Sequence, residues 1–302
     1  MQRPVVLGMV VVGGLVAMTV FGQAPQPGAA PAAPRFPPIE SIEPIATNLY
    51  RITGEGGNSA VFVRGGGVLL VDTKLADNGQ RLVDQIKKVT DKPITHIVNT
   101  HTHGDHTGSN AFFAPSVEVV TQANTAANML KMPAFQSAEG KVGVADRTFT
   151  DKLTLFSGRE AVDLYYFGAG HTDGDAFVVF RDARVMHSGD IFATKGLPLL
   201  DANNGGSGVA IGDTLTKAAA GITNVDRIIT GHTDTLPWQD LVDYAEFNRL
   251  FLEHARTSRA AGKTPEQAAA DLKLPAKFSD YNLAGRGGPV TNLTLIYAEL
   301  AK

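Results

Sequence analysis

Cysteine is missing from all 302 residues. That excludes disulfides, a lipid-modified cysteine, a thiolate nucleophile and every zinc site built on thiolates. A chain without such crosslinks is held by its core, and this length is ample for one. Tryptophan occurs once, and charged residues make up only 19% of the chain. The net charge is −3 with both signs scattered, so there is neither a basic stripe for nucleic acid nor an acidic tail. Long apolar runs are scarce too: the one that stands out, Val5 to Phe21, follows Arg3 and carries no charge.

That run, within "MQRPVVLGMVVVGGLVAMTVFGQA", reads as a targeting segment over residues 1–24. Gly22 with Ala24, or Ala30 with Ala32, would suit a peptidase. Pro25 directly after the first pair disfavours a cut there, so the cleavage position stays open. The other reading is an uncleaved anchor near the lower length limit for a membrane span. Both send the body to the periplasm or the medium, and only the second ties it to a membrane. Residues 25–38, "PQPGAAPAAPRFPP", read as a disordered Pro/Ala-rich linker, which leaves 39–302 as the folded domain.

Within that domain, strand patterns alternate with helical ones. "NLYRITG" and "SAVFVRGGGVLLVDTK" are β-rich, the second with a hairpin turn at Gly65, Gly66 and Gly67. Leu82, Val83, Ile86 and Val89 fall at helical spacing after Asn78, a candidate cap. "PITHIVNT" is a short buried-type strand. A short helix near 108–113, the strand "VEVVT" and the helical "QANTAANMLKM" come next. Strands cover about 148–193, helices return near 209–221 and 237–260, and "RIITGH" is a strand between them. In "TPEQAAADL", Thr264, Pro265 and Gln267 spell a capping box with proline in the first turn. One mixed α/β domain is the simplest account.

"HTHGDH", residues 101–106, gathers three of the eight histidines at a strand exit. Residues two apart on an extended segment point the same way, so His101 and His103 can serve one metal. Gly104 permits a sharp turn, after which Asp105 and His106 face elsewhere, toward a second ion. Chance histidines on a solvated loop are the bland alternative, and their density argues against it. "GAGHTDGDA" places His171, "MHSGDIFA" places Asp190 and "IITGHTD" places His232 at the ends of apolar stretches beside glycine. Such groups share one edge of a rigid scaffold.

In that order, H-x-H-x-D-H, G-H-T, S-G-D and G-H resemble the metallo-β-lactamase-fold superfamily over about residues 48–235. The resemblance implies a four-layer αββα sandwich of the α/β class with a dinuclear metal site on the sheet edge. It assigns His101, His103 and His171 to one metal, and Asp105, His106 and His232 to the other. Asp190 then bridges the two, and Asp105 doubles as the catalytic residue. Imidazole and carboxylate ligands suit Zn²⁺, two per chain, with iron or manganese as other occupants. Two such ions about 3.5–4 Å apart can hold a bridging hydroxide near neutral pH and polarise a carbonyl or phosphoryl oxygen.

The expectation is therefore an exported hydrolase of a small-molecule ester, thioester, lactone or amide, with no nucleic-acid partner and an oligomeric state the sequence does not set. Broad-spectrum lactamases of the superfamily carry Cys or Ser where this chain has Asp190, which looks more like the hydroxyacylglutathione hydrolases. Export, and the lack of a basic C-terminal patch, weigh against a glutathione thioester. A genuine β-lactamase is one alternative, and an iron-dependent oxidoreductase like the persulfide dioxygenases is another.

Other polar residues receive plainer readings. His187 lies three positions before Asp190, on the opposite face of its strand. His96 is packed within a strand, and His254 sits at the core edge of a helix. Lys195 is a surface lysine, or else a receptor for a substrate carboxylate. The loop 201–208 flanks the site, and Thr107 and Thr172 are expected to orient ligands.

Overall fold

Buried strand residues alternate between two destinations, and that alternation sets the layers. The structure, a computed structural model, describes residues 36–39, 41–113, 116–285 and 288–302. The expected targeting segment 1–24 and residues 25–35 of the expected linker lie outside these.

One sheet holds seven strands in sequence order: β1 (Ile42–Ala46), β2 (Leu49–Ile52), β3 (Ser59–Arg64), β4 (Gly67–Val71), β5 (Ile94–Val98), β6 (Glu118–Gln122) and β7 (Arg147–Phe149). The first four form an antiparallel meander, and β4 through β7 run parallel. The second sheet contains β8 (Lys152–Leu155), β9 (Val162–Tyr165), β10 (Phe177–Phe180), β11 (Val185–Gly189), β12 (Arg227–Thr230) and β13 (Leu236–Pro237), in the order 13-12-11-10-9-8. All its pairs are antiparallel except β11 with β12.

The helices in chain order are α1 (Gly79–Ile86), α2 (Gly104–Thr107), α3 (Asn110–Phe113), α4 (Ala123–Met129), α5 (Ala138–Lys141), α6 (Ile211–Gly221), α7 (Trp238–Ala260), α8 (Pro265–Ala270) and α9 (Gly288–Glu299). Among the described residues no helix is long and apolar enough to cross a membrane.

Along β4, Leu69 and Val71 point between the sheets, where they meet Val178 and Phe180 of β10. The intervening Val68 and Leu70 pack outward on Leu82 and Ile86 of α1. On the other side Phe177 and Val179 of β10 pack outward on Leu215 of α6, Phe247 of α7 and Leu293 of α9. Three cores thus separate four layers, helices–sheet–sheet–helices, and the expected αββα sandwich is the fold. Each buried leucine, valine or phenylalanine contributes about 1.5–3 kcal/mol relative to exposure.

Local signals were realised unevenly. The box at the start of α8 forms with both of its hydrogen bonds, Thr264 with Gln267. Asn78 does precede α1, yet its amide turns back to the Leu75 and Ala76 carbonyls and does not cap the helix. Phe36 to Pro38, read from composition as linker, lie against the body: the Pro37 carbonyl accepts the Glu55 N–H at 2.7 Å.

Candidate metal centre

The site is built where strands of both sheets end. After β5, Asn99 to His103 run on, and α2 then carries Asp105 and His106. His171 comes from the loop between β9 and β10, Asp190 directly follows β11, and His232 lies two residues beyond β12. All seven residues expected at the site come together. One ligand atom from each of His101, His103, His171 and Asp190 lies within 4.8 Å of the others, and Asp105, His106 and His232 form a second such group.

Each of four imidazoles donates one ring N–H away from the centre. His106 Nδ1 donates to Asp72 Oδ2 at 2.7 Å, His103 Nε2 to Asp201 Oδ2 at 2.7 Å and His171 Nδ1 to the Leu199 carbonyl at 2.6 Å. Thr100 Oγ1 gives its proton to Asp72 Oδ2 at 2.8 Å, so it accepts from His101 Nδ1 at 3.0 Å. These bonds fix the orientations and leave His101 Nε2, His103 Nδ1 and His171 Nε2 as lone pairs turned inward, while His106 Nε2 faces Asp190 Oδ1. His103 Nδ1 and His171 Nε2 stand 3.0 Å apart. His101 Nε2 is buried and finds no hydrogen-bond partner among the described residues. A buried nitrogen without a donor is costly unless something binds it.

Asp190 lies between the groups. Its Oδ1 is 3.1 Å from His232 Nε2 and 3.3 Å from His106 Nε2, while Oδ2 is 3.8 Å from His171 Nε2. Asp105 Oδ2 is 3.3 Å from His232 Nε2. Burial alone would raise both carboxylates, but the neighbouring histidines outweigh it. Asp190 is held well below its ordinary value, and Asp105 is lowered to about 2. Burial, then the adjoining imidazoles, push His101 well below 6.5. Ionised carboxylates and a neutral imidazole are the forms that bind a metal ion, so the donor set fits one.

Two glycines are required by close approach. A Cβ at Gly57 would lie 2.0 Å from His106 Cε1, and one at Gly231 would lie 2.0 Å from Asp190 Oδ1. Asn58 anchors the same region, its amide donating to the Thr230 and Thr233 carbonyls at 2.9 and 2.8 Å. Gly104 differs from expectation: its φ is not positive, and a side chain there would meet nothing. Helix α2, with its His106 and Thr107 N–H groups both on the His103 carbonyl, makes the turn instead.

The remaining expectations sort clearly. His187 is fully buried away from the cluster, its Nε2 donating to the Asn58 carbonyl at 2.9 Å. His96 pairs with Glu118 at 3.2 Å, and His254 donates to the Ala268 carbonyl. Lys195 is tied to Asp280 at 2.7 Å and Asp240 at 3.4 Å, away from the cavity. Among the described residues the hydroxyls of Thr107 and Thr172 make no hydrogen bond to a side chain of the cluster: Thr107 donates to the His103 backbone and Thr172 to Asp175.

The orienting residues are instead Asp72, Thr100 and Asp201. Asp72 directly follows β4 in "VLLVDTK", the same strand-end acid signal that marks Asp190. Asp201 lies in the loop 201–208, singled out only as a whole. Nothing in the sequence pointed to Lys74, whose buried ammonium donates to the Ile52 and Gly57 carbonyls.

The centre opens into a cavity of about 410 Å³ lined by His103, Asp105, Asp190 and His232, and by Phe36, Leu75 and Leu199.

Comparison with known proteins agrees with this geometry. A family model described as "Metallo-beta-lactamase superfamily" matches residues 52–240. A metallo-β-lactamase type 2 of Elizabethkingia meningoseptica is 24% identical over 277 residues, 86% of this chain and 100% of that protein. The 2,4-dinitroanisole O-demethylase subunit alpha of Nocardioides sp. (strain JS1661) is 27% identical over 164 residues, 52% of this chain and 48% of that one. Among solved structures, a stereoselective inverting sec-alkylsulfatase of Pseudomonas sp. superposes with a TM-score of 0.74 at 14% identity, over 86% of this chain and 50% of its own. A metallo-β-lactamase of Pontibacter korlensis gives 0.58 at 19% identity, over 70% and 99%. The chain thus spans about half the length of the demethylase subunit and of the sulfatase.

Proposed function

Because the chain belongs to the metallo-β-lactamase superfamily, we propose that it is a metal-dependent hydrolase of a small-molecule ester, thioester, lactone or amide. His101, His103 and His171 would hold one Zn²⁺, Asp105, His106 and His232 a second, and Asp190 would reach both. The observation that carries this reading is the position of Asp190, with Oδ1 3.1 Å from His232 Nε2 and Oδ2 3.8 Å from His171 Nε2. Bound zinc supplies a Lewis acid for the substrate oxygen and makes water a competent nucleophile near neutral pH.

The chain's own residues do the positioning. Asp72, Thr100, Asp201 and the Leu199 carbonyl hold four imidazoles in one tautomer and one orientation. Asp105 is the proposed catalytic carboxylate: ionised and lining the cavity, it accepts a hydrogen bond from the incoming water and orients it. The N-terminal apolar run supports export to the periplasm or medium.

A β-lactamase is the second reading, favoured by the full-length match to the Elizabethkingia enzyme. One panel tests both: a chromogenic cephalosporin beside esters, thioesters and lactones, with zinc-loaded and chelator-treated protein. Chelator-sensitive turnover of carbonyl substrates at two zinc per chain is expected, and turnover of the cephalosporin would select the second reading. Stoichiometric iron with oxygen consumption and no hydrolysis would overturn both.

A further inference from the structure

The loop between β2 and β3, residues 53–58, lies under one group of ligands. The Gly57 N–H donates to the Asp105 carbonyl at 3.0 Å, and the Gly57 backbone is pressed so close to the His106 ring that a Cβ would not fit. The Asn58 N–H donates to the Gly231 carbonyl at 2.6 Å. With its amide on the Thr230 and Thr233 carbonyls, Asn58 brackets His232 from both sides. Asp105, His106 and His232 thus all rest on Gly57 and Asn58. His101, His103 and His171 are backed instead by Thr100, Asp201 and the Leu199 carbonyl.

The loop, "TGEGGN", is half glycine, which gives its backbone wide freedom. Glu55 holds a φ of +48°, a conformation that a non-glycine residue keeps only where its surroundings impose it. Lys74 ties the loop at both ends. Its side chain is fully buried, and Nζ donates to the Ile52 carbonyl at 2.6 Å just before the loop and to the Gly57 carbonyl near its end. The next residue, Leu75, donates its N–H to the Glu55 carbonyl at 3.0 Å. Among the described residues Nζ hydrogen-bonds carbonyls and no carboxylate, an uncommon setting for a buried lysine. Burial brings the amine down to about 7, yet the neutral form keeps the two N–H groups that these carbonyls use.

We infer that Lys74 is a positioning residue for Asp105, His106 and His232: its amine holds the loop 53–58 in place before any ion arrives, and so sets the affinity of that group for metal. The inference rests on the metal-dependent reading of the centre.

The test uses the metal-stripped full chain, with Lys74→Met as a substitution of similar length that removes both donors. Stepwise zinc titration should show one step weakened by about 10–100-fold, the usual cost of losing a group that orients ligands. The other step should move by less than about threefold, as for groups that share no partner. His232→Ala identifies the affected step, since it removes a ligand of that group. In cadmium NMR of the fully loaded chain, the resonance that His232→Ala removes should shift in Lys74→Met while the other holds. A general loss of stability does not produce that signature. Hydrogen exchange reads the loop without metal. In stripped wild type the Gly57 and Asn58 amides should be protected to within about threefold of the zinc-loaded level. Lys74→Met should speed their exchange by about tenfold or more.

Equal weakening of both zinc steps, or of neither, would overturn the inference and leave two zinc per chain standing. Fewer than two zinc in wild type would overturn the dinuclear reading, and exchange at Gly57 and Asn58 would still decide on Lys74. Should Lys74→Met not fold, stripped wild type decides alone. Protection already present there supports the inference, whereas protection gained only with zinc would show that the ion, and not Lys74, orders the loop.

Discussion

The two halves of the centre are built differently. The half made by His101, His103 and His171 contains three imidazoles, backed by a threonine hydroxyl, one loop carboxylate and a backbone carbonyl. The half made by Asp105, His106 and His232 includes a carboxylate of its own and has buried Asp72 behind His106. The protonation tendencies diverge accordingly. Burial and its neighbours push His101 down. Burial would lower His106 as well, but Asp72 and Asp190 outweigh it and hold His106 well above 6.5. His101 in the first half is prepared as a neutral lone pair, and the second half as a network of opposite charges in which protons compete with a metal. The lesson is that one shared carboxylate, Asp190, serves two electrostatic regimes.

The sharpest way to break that comparison is Asp190→Ala. It should lower turnover by roughly 10³-fold or more, as removal of a principal electrostatic group does, and reduce zinc in the charged half while the fold persists. Unchanged metal content and rate would remove Asp190 from the centre.

Asp72→Asn should come next, weakening metal affinity or rate by about 10–100-fold, the usual cost of losing a buried orienting partner. Asp201→Asn acts on the other half from a more open loop and should cost about tenfold or less. Equal losses would mean that the halves are not distinguished by what lies behind them.

A thermal series against pH sharpens the contrast further. In metal-stripped protein the raised His106 contributes stability that is complete below its unfolded value near 6.5 and is lost as pH rises through its higher folded value. The lowered Asp190 contributes stability above the unfolded carboxylate value, lost as pH falls toward its folded one. Melting of the stripped chain should therefore decline toward alkaline pH while the zinc-loaded chain holds, and the gap should widen with pH. A gap that narrows would contradict the assignment of charge to the second half.

The smallest effect on the centre belongs to His187→Ala. Zinc stoichiometry should stay the same, with about 1–3 kcal/mol of stability lost because the buried Asn58 carbonyl loses its donor. Loss of one zinc by elemental analysis would show that His187 does more than support the strand.

The layers were legible because apolar alternation of period two and helical spacing survive in the sequence, and "HTHGDH" was legible because its members are contiguous. Asp190 and His232 were found at strand ends beside glycine, and His171, expected after a strand, sits in a glycine-flanked loop between β9 and β10. Asp72 stood at a strand end too, but an acid that orients a ligand and an acid that binds a metal look alike until the fold places His106 Nδ1 2.7 Å away. Asp201 depends on a contact 98 positions distant in the chain, which no local pattern encodes. Phe36 was hidden by its proline- and alanine-rich surroundings, since composition describes a segment's average and not the single ring that docks. Asn78 shows the converse, a sound local signal overridden when nearby carbonyls claimed its amide.

The centre also straddles the seam between the sheets. His101, His103, Asp105 and His106 follow β5 of one sheet, whereas His171, Asp190 and His232 issue from strands of the other. Any ion held by both sets is a fastener across that seam, and occupancy becomes part of the protein's mechanical integrity as well as its chemistry. Zinc would then raise the unfolding temperature in proportion to the logarithm of its free concentration, and a chain deprived of it would open first where the sheets meet at this edge.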